Sequence, residues 1–81
     1  MFNNTFKIKM ISQQEQIDFV NKIANIPCDI DLIKGTVVID AKSLMGVTGV
    51  DTTNDCKIMI KTNDESTINE VLQAISVYLS M

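Results

Sequence analysis

The sequence predicts an α+β fold, an open-faced two-layer sandwich with three helices on one face of a four-stranded sheet. Three observations predict it. Three segments alternate apolar and polar residues with period two and a fourth is a β-branched run, three segments carry helix signals, and the seven occur in the order β-α-β-β-α-β-α. Each strand then has one apolar face and each helix one apolar stripe. A single core between the two layers buries them all, leaving the other face of the sheet to water.

Residues 5–11 open this order. Phe6, Ile8 and Met10 fall on one side and Lys7 and Lys9 on the other, the mark of a half-buried strand. Ser12 ends the alternation and, with Glu15 three residues on, forms a capping-box pattern. Ile17, Val20, Ile23 and Ala24 then recur at helical spacing. Pro27 stops the helix, because a residue before proline is pushed out of the α region.

Residues 28–33 alternate again, with Cys28, Ile30 and Leu32 inward and Asp29 and Asp31 outward. Lys34 and Gly35 make a turn, and the β-branched run 36–40 is the returning strand of a hairpin. Ser43 precedes a short helix over residues 44–50, weakened by Gly46 and Gly49. Residues 51–55 form a polar turn. The fourth strand, 56–61, points Cys56, Ile58 and Ile60 inward and Lys57 and Lys61 outward. Asn63 or Asp64 caps the last helix, whose stripe is Ile68, Val71, Leu72, Ile75 and Leu79. The outer face of the sheet is expected to carry Lys7, Lys9, Asp29, Asp31, Lys57 and Lys61. Oppositely charged strands side by side would contribute roughly 0.2–1 kcal/mol per pair.

Composition narrows the function. The 81 residues are expected to form one domain, 1–81. Hydrophobic residues make up 46% of the chain, yet the aromatic ones are only Phe2, Phe6, Phe19 and Tyr78, so Ile, Val, Leu and Met must build the core. Seven basic residues, all lysine, face ten acidic ones, which excludes nucleic acid as a partner. No stretch approaches the roughly 20 apolar residues that span a bilayer, so no membrane partner is expected. The N-terminus, with Asn3, Asn4 and Thr5, lacks the apolar block of a signal peptide; a cytoplasmic location is the expectation. Cys28 and Cys56 belong to no CxxC pair and the chain contains no histidine, so no zinc site is expected. Without a catalytic dyad, a cofactor loop or a metal cluster, the chain is expected to be no enzyme and to use no cofactor.

The run Asp40-Ala41-Lys42-Ser43-Leu44-Met45-Gly46 resembles a signature of the HPr family, the small carrier proteins of the bacterial phosphoenolpyruvate:sugar phosphotransferase system. Phe19-Val20 and Cys28-Asp29-Ile30-Asp31-Leu32 match the family in the same register. Asp64-Glu65 before the last helix fits after a small deletion, so the similarity runs from about Met10 to Leu79. The resemblance implies an antiparallel sheet in the order 1-4-2-3. Cys28 and Cys56 would then open adjacent antiparallel strands at opposite ends of the sheet, more than ~15 Å apart. That is too far for a disulfide, leaving two buried free cysteines.

The family's carrier motif is Gly, a hydrophobic residue, His, Ala, Arg, Pro, Ala at the start of the first helix. By this resemblance Met10-Ile11-Ser12-Gln13-Gln14-Glu15-Gln16 occupies that place, with Ser12 at the histidine, Gln14 at the arginine and Glu15 at the proline. Phosphohistidine has a labile P–N bond, whereas phosphoserine is a stable ester. Gln14 cannot neutralise a phosphate as arginine does, and Glu15 sets a like charge in the first turn. The carrier site is therefore expected to be degenerate. Transfer by Cys28 or Cys56 is not expected, since both lie at inward-facing strand positions.

Ser43 matches the family's regulatory serine, which a dedicated kinase phosphorylates in many Gram-positive bacteria. A phosphate there would meet the N-terminus of a short helix, and Leu44, Met45 and Val47 would form an adjoining apolar patch for partner binding. In the family that patch docks the HPr kinase and a transcription regulator. Thr48 and Gly49 replace the more usual Met and Ser, which thins the patch. The leading expectation is a non-carrier regulatory protein acting through Ser43, a monomer or weak dimer. Ser43 could also be simply an N-cap. The alternative is a protein-binding module that inherited the fold and has no part in sugar transport.

Overall fold

A computed structural model describes residues 4–80; Phe2 and Asn3 lie outside the described residues. The strands are β1 (Thr5–Ile8), β2 (Ile30–Lys34), β3 (Val37–Asp40) and β4 (Cys56–Ile60). The helices are α1 (Gln13–Ile23), α2 (Leu44–Thr48) and α3 (Glu65–Ala74), followed by a 3₁₀ turn over Ser76–Tyr78. The sheet runs β1-β4-β2-β3 with every pair antiparallel, as expected.

Alternation in the strands sorts their residues between layers. Ile8, Ile30, Leu32, Cys56, Ile58 and Ile60 all point into the core, where they meet Phe19, Val20 and Ile23 from α1, Val47 from α2 and Val71 from α3. The β2–β3 hairpin closes through Gly35 and Thr36, with Lys34 opposite Val37. Gly35 has φ +59°, and a two-residue hairpin loop needs a left-handed residue in its first place to match the strand twist.

Several elements depart from expectation. The buried stripe of α1 is Gln16, Phe19, Val20 and Ile23, so Ala24, expected inside, is exposed and Ile17 only half-buried. The helix packs on α2 as well as on the sheet, which rotates it toward Gln16. Cys28 precedes β2 and is half-buried. Helix α3 stops at Ala74. The 3₁₀ turn tucks Tyr78 inside, its ring edge-on to Phe19, and Leu79 leaves the helix to bridge Ile8. By leaving the helix the C-terminal segment comes onto the edge of β1, where Ser80 N–H donates to the Lys7 carbonyl.

The outer sheet face is also less balanced than expected. Asp31 and Lys61 do form an ion pair at 3.5 Å. But Lys7 of β1 lies directly opposite Lys57 of β4, like charges in register.

Candidate functional site

Ser12 is the N-cap of α1. Its backbone is extended (φ −144°, ψ 159°) and its Oγ accepts the Glu15 N–H at 3.1 Å. Glu15 reaches back, but its Oε1 accepts the N–H of Ile11 at 2.9 Å, one residue before the cap. The box thus ties the chain entering the helix, not the cap itself. Ser12 and Gln14 are exposed and Glu15 half-buried. The first turn presents a carboxylate and a hydroxyl already engaged as an acceptor. No side chain in the chain carries an imidazole.

Ser43 is the N-cap of α2. Its Oγ accepts the Gly46 N–H at 3.1 Å, and its own N–H donates to the Asp40 carbonyl at 2.9 Å. The Asp40 carboxylate accepts the Lys42 N–H at 2.9 Å, so one aspartate fixes the turn that leads into the helix. The Lys42 ammonium donates to the Ile26 carbonyl. Ser43 is half-buried. Leu44 is 45% exposed and Met45 87% exposed, whereas Val47 is fully buried. Val47 therefore belongs to the core, not to the partner-binding patch expected of it. It lies on the face of α2 turned to the core. The apolar surface beside Ser43 consists of Leu44 and Met45. Helix α2 is also shorter than expected, ending at Thr48 with Gly49 as its C-cap.

Gly46 lets α2 sit down on β3. A Cβ there would lie 2.6 Å from Ile39 Cγ2. The helix axis can approach the hairpin only where that carbon is missing.

One joint links the two helix ends and was not legible as such in the sequence. The Gln16 side-chain amide, one turn into α1, donates to the carbonyls of Val47 (3.3 Å) and Val50 (3.2 Å) and to Thr52 Oγ1 (3.0 Å). Thr52 in turn donates its hydroxyl to the Met10 carbonyl at 2.9 Å, and Met10 N–H returns a bond to the Thr52 carbonyl at 2.9 Å. The mouth of α1 is thereby fastened to the C-terminal end of α2, and Ser43 sits at the opposite end of that helix. The signal for Gln16 was its register: residues 16, 19, 20 and 23 follow i, i+3, i+4, i+7 with a polar residue in the first place. Ile11, 66% exposed just before Ser12, adds an apolar group at this mouth.

Burial pushes both thiols up, partly offset at Cys28 by Lys42 and at Cys56 by Lys34. Both cysteines are free and stay protonated at neutral pH. No described helix is long and apolar enough to cross a membrane.

A family model described as the PTS HPr component phosphorylation site matches residues 17–80, more than three quarters of the chain. The matched stretch takes in Ser43, Leu44 and Met45 and begins beyond Ser12, Gln14 and Glu15. No curated protein matches the chain.

Proposed function

The chain belongs to the HPr family of the bacterial sugar phosphotransferase system, and from that premise we propose that it is a non-carrier regulatory member acting through Ser43. The observation that carries this reading is the contrast between the two helix mouths. At α1 the position of the acceptor histidine holds Ser12, whose Oγ caps the helix while Glu15 bonds Ile11 N–H. At the start of α2 the run Asp40–Gly46 keeps its resemblance to the family's signature, Ser43 is half-exposed as a cap, and Leu44 and Met45 stand out beside it. A phosphoryl group on Ser12 would be a stable ester next to a carboxylate, without an arginine to balance it. On Ser43 it would displace one cap bond and add charge at the edge of an apolar contact surface. The protein is then no enzyme. It works in the cytoplasm through protein partners, the kinase that modifies Ser43 and a transcription regulator that reads the modified surface.

The test is incubation with HPr kinase and ATP, read by intact-protein mass spectrometry. The expected result is one phosphate, absent in Ser43→Ala; an unmodified wild-type chain sinks the reading. Phosphoenolpyruvate and the first enzyme of the pathway should leave no acid-labile phosphate on the chain.

A second reading is a binding module outside sugar transport. What favours it is Gln16, which fills the last position of the carrier motif with a buried polar joint. Capture of phosphotransferase proteins by the immobilised chain would argue against it.

A further inference from the structure

At the far edge of the sheet from the β2–β3 hairpin, three lysines gather around a cleft that the regulatory reading does not use. Lys7 and Lys57 are register partners on β1 and β4, and Lys9 follows Lys7 by two residues on the same face. Like charges directly opposite one another destabilise an antiparallel pair. The two ion pairs found among the described residues, Lys22–Asp18 and Lys61–Asp31, engage other lysines. Protection of an exposed strand edge does not account for the cluster. The C-terminal segment already covers that edge: Lys9 N–H donates to the Tyr78 carbonyl and Ser80 N–H to the Lys7 carbonyl, both at 2.9 Å.

These lysines line a cleft of about 300 Å³, walled also by Thr53, Asn54 and Ser80. Its walls are held in place. Lys34 Nζ donates to the Asn54 carbonyl at 2.7 Å and to its Oδ1 at 2.9 Å, which fixes Asn54 with its side-chain oxygen toward Lys34. The Thr53 hydroxyl is spent on Asp51 at 2.5 Å. Three exposed lysines, Asn54 and Ser80 thus stand on the wall of the cleft. The one acid on its wall, Asp55, is an acceptor suited to a hydroxyl.

We propose that this cleft binds a small hydroxylated phosphate monoester, the phosphate between Lys7, Lys9 and Lys57 and a hydroxyl of the ester on Asp55. A dianion with three terminal oxygens uses three ammonium donors where a carboxylate would use two. The volume exceeds that of bare phosphate and leaves room for a few carbons. The assignment stands apart from the reading of Ser43 and holds or fails without it.

The probe is glycerol 3-phosphate, titrated at constant ionic strength into the ¹⁵N-labelled chain, with glycerol and potassium chloride as controls. Saturable shifts are expected at the amides of residues 7–9, 53–57 and 80, with glycerol and chloride giving none. The exposed double substitution Lys7→Gln/Lys57→Gln should weaken binding on the order of tenfold or more, and Lys22→Gln should leave it unchanged. An unaltered spectrum away from the cleft shows that the variants fold. Shifts that do not saturate, that chloride reproduces, or that survive the double substitution overturn the proposal.

Discussion

The Gln16 amide lies 3.0 Å from Thr52 Oγ1, and through that bond the first helix, the end of the second and the end of β1 share one buried polar joint. Gln16 has two N–H donors for three acceptors, so it divides them among Val47, Val50 and Thr52. Removing the amide takes its donor from the Val50 carbonyl and from Thr52 Oγ1 and leaves the Val47 carbonyl only backbone bonds such as that from Val50 N–H at 3.4 Å. Gln16→Leu should cost about 1–3 kcal/mol and Thr52→Val about 1 kcal/mol. The two losses should fall short of additive in a double-mutant cycle measured by urea unfolding. Full additivity would mean that the joint does not act as a unit.

Gly46→Ala should destabilise the protein even though alanine favours helix. The new Cβ meets Ile39 Cγ2 at 2.6 Å, and a β-branched side chain stiff at χ1 yields only at a cost. Overpacking costs about 1–3 kcal/mol, against about 1 kcal/mol gained in helix propensity. Adding Ile39→Leu removes the offending methyl and should recover part of the loss in a thermal melt.

Capping at Ser43 and the modification proposed there separate by substitution. Ser43→Ala should lose about 1 kcal/mol of stability along with the modification, whereas Ser43→Asp keeps the cap and loses only the modification. Met45→Glu should change stability by less than about 0.5 kcal/mol, since the side chain is 87% exposed, yet abolish binding of the regulator to the phosphorylated chain. Undiminished binding by that variant would remove Met45 from the contact surface.

Alkaline stability should depend on Tyr78. Burial, and the hydrogen bond its hydroxyl donates to Asp18, push the phenol up to about 12 from an ordinary 10.0. The folded state therefore keeps a proton that the unfolded chain gives up. The stabilisation is complete below pH 10 and disappears as pH rises toward 12. Tyr78→Phe should flatten the fall in melting temperature across that window, read by circular dichroism.

At the acid end Asp64 behaves oppositely. Hydrogen bonds from the Thr67 and Ser66 hydroxyls hold its carboxyl below the usual range. The contribution of this cap is present at neutral pH and declines as pH falls through that lowered value. Asp64→Asn should reduce the acid sensitivity of α3, visible as a smaller loss of helix signal on acidification.

The sequence by itself determined where the strands and caps fall and, Cys28 apart, which strand residues face inward. A period of two assigns each strand residue to one face, and Ser12, Ser43 and Asp64 each accept a bond from an N–H three residues on. These are local rules, and so is the turn at Gly35. Only the tertiary structure decided where the helices face and stop. Gln16 is buried and Ala24 exposed because α1 packs on α2 as well as on the sheet, a contact between residues 31 to 36 positions apart. Val47 is inside because Gly46 lets α2 settle on Ile39. Helix α3 ends at Ala74 because Tyr78 finds Phe19 and Asp18, and Leu79 finds Ile8, near the other end of the chain. Periodicity records which side of an element is apolar; the partner that rotates or ends the element lies dozens of residues away and leaves no mark in the local pattern.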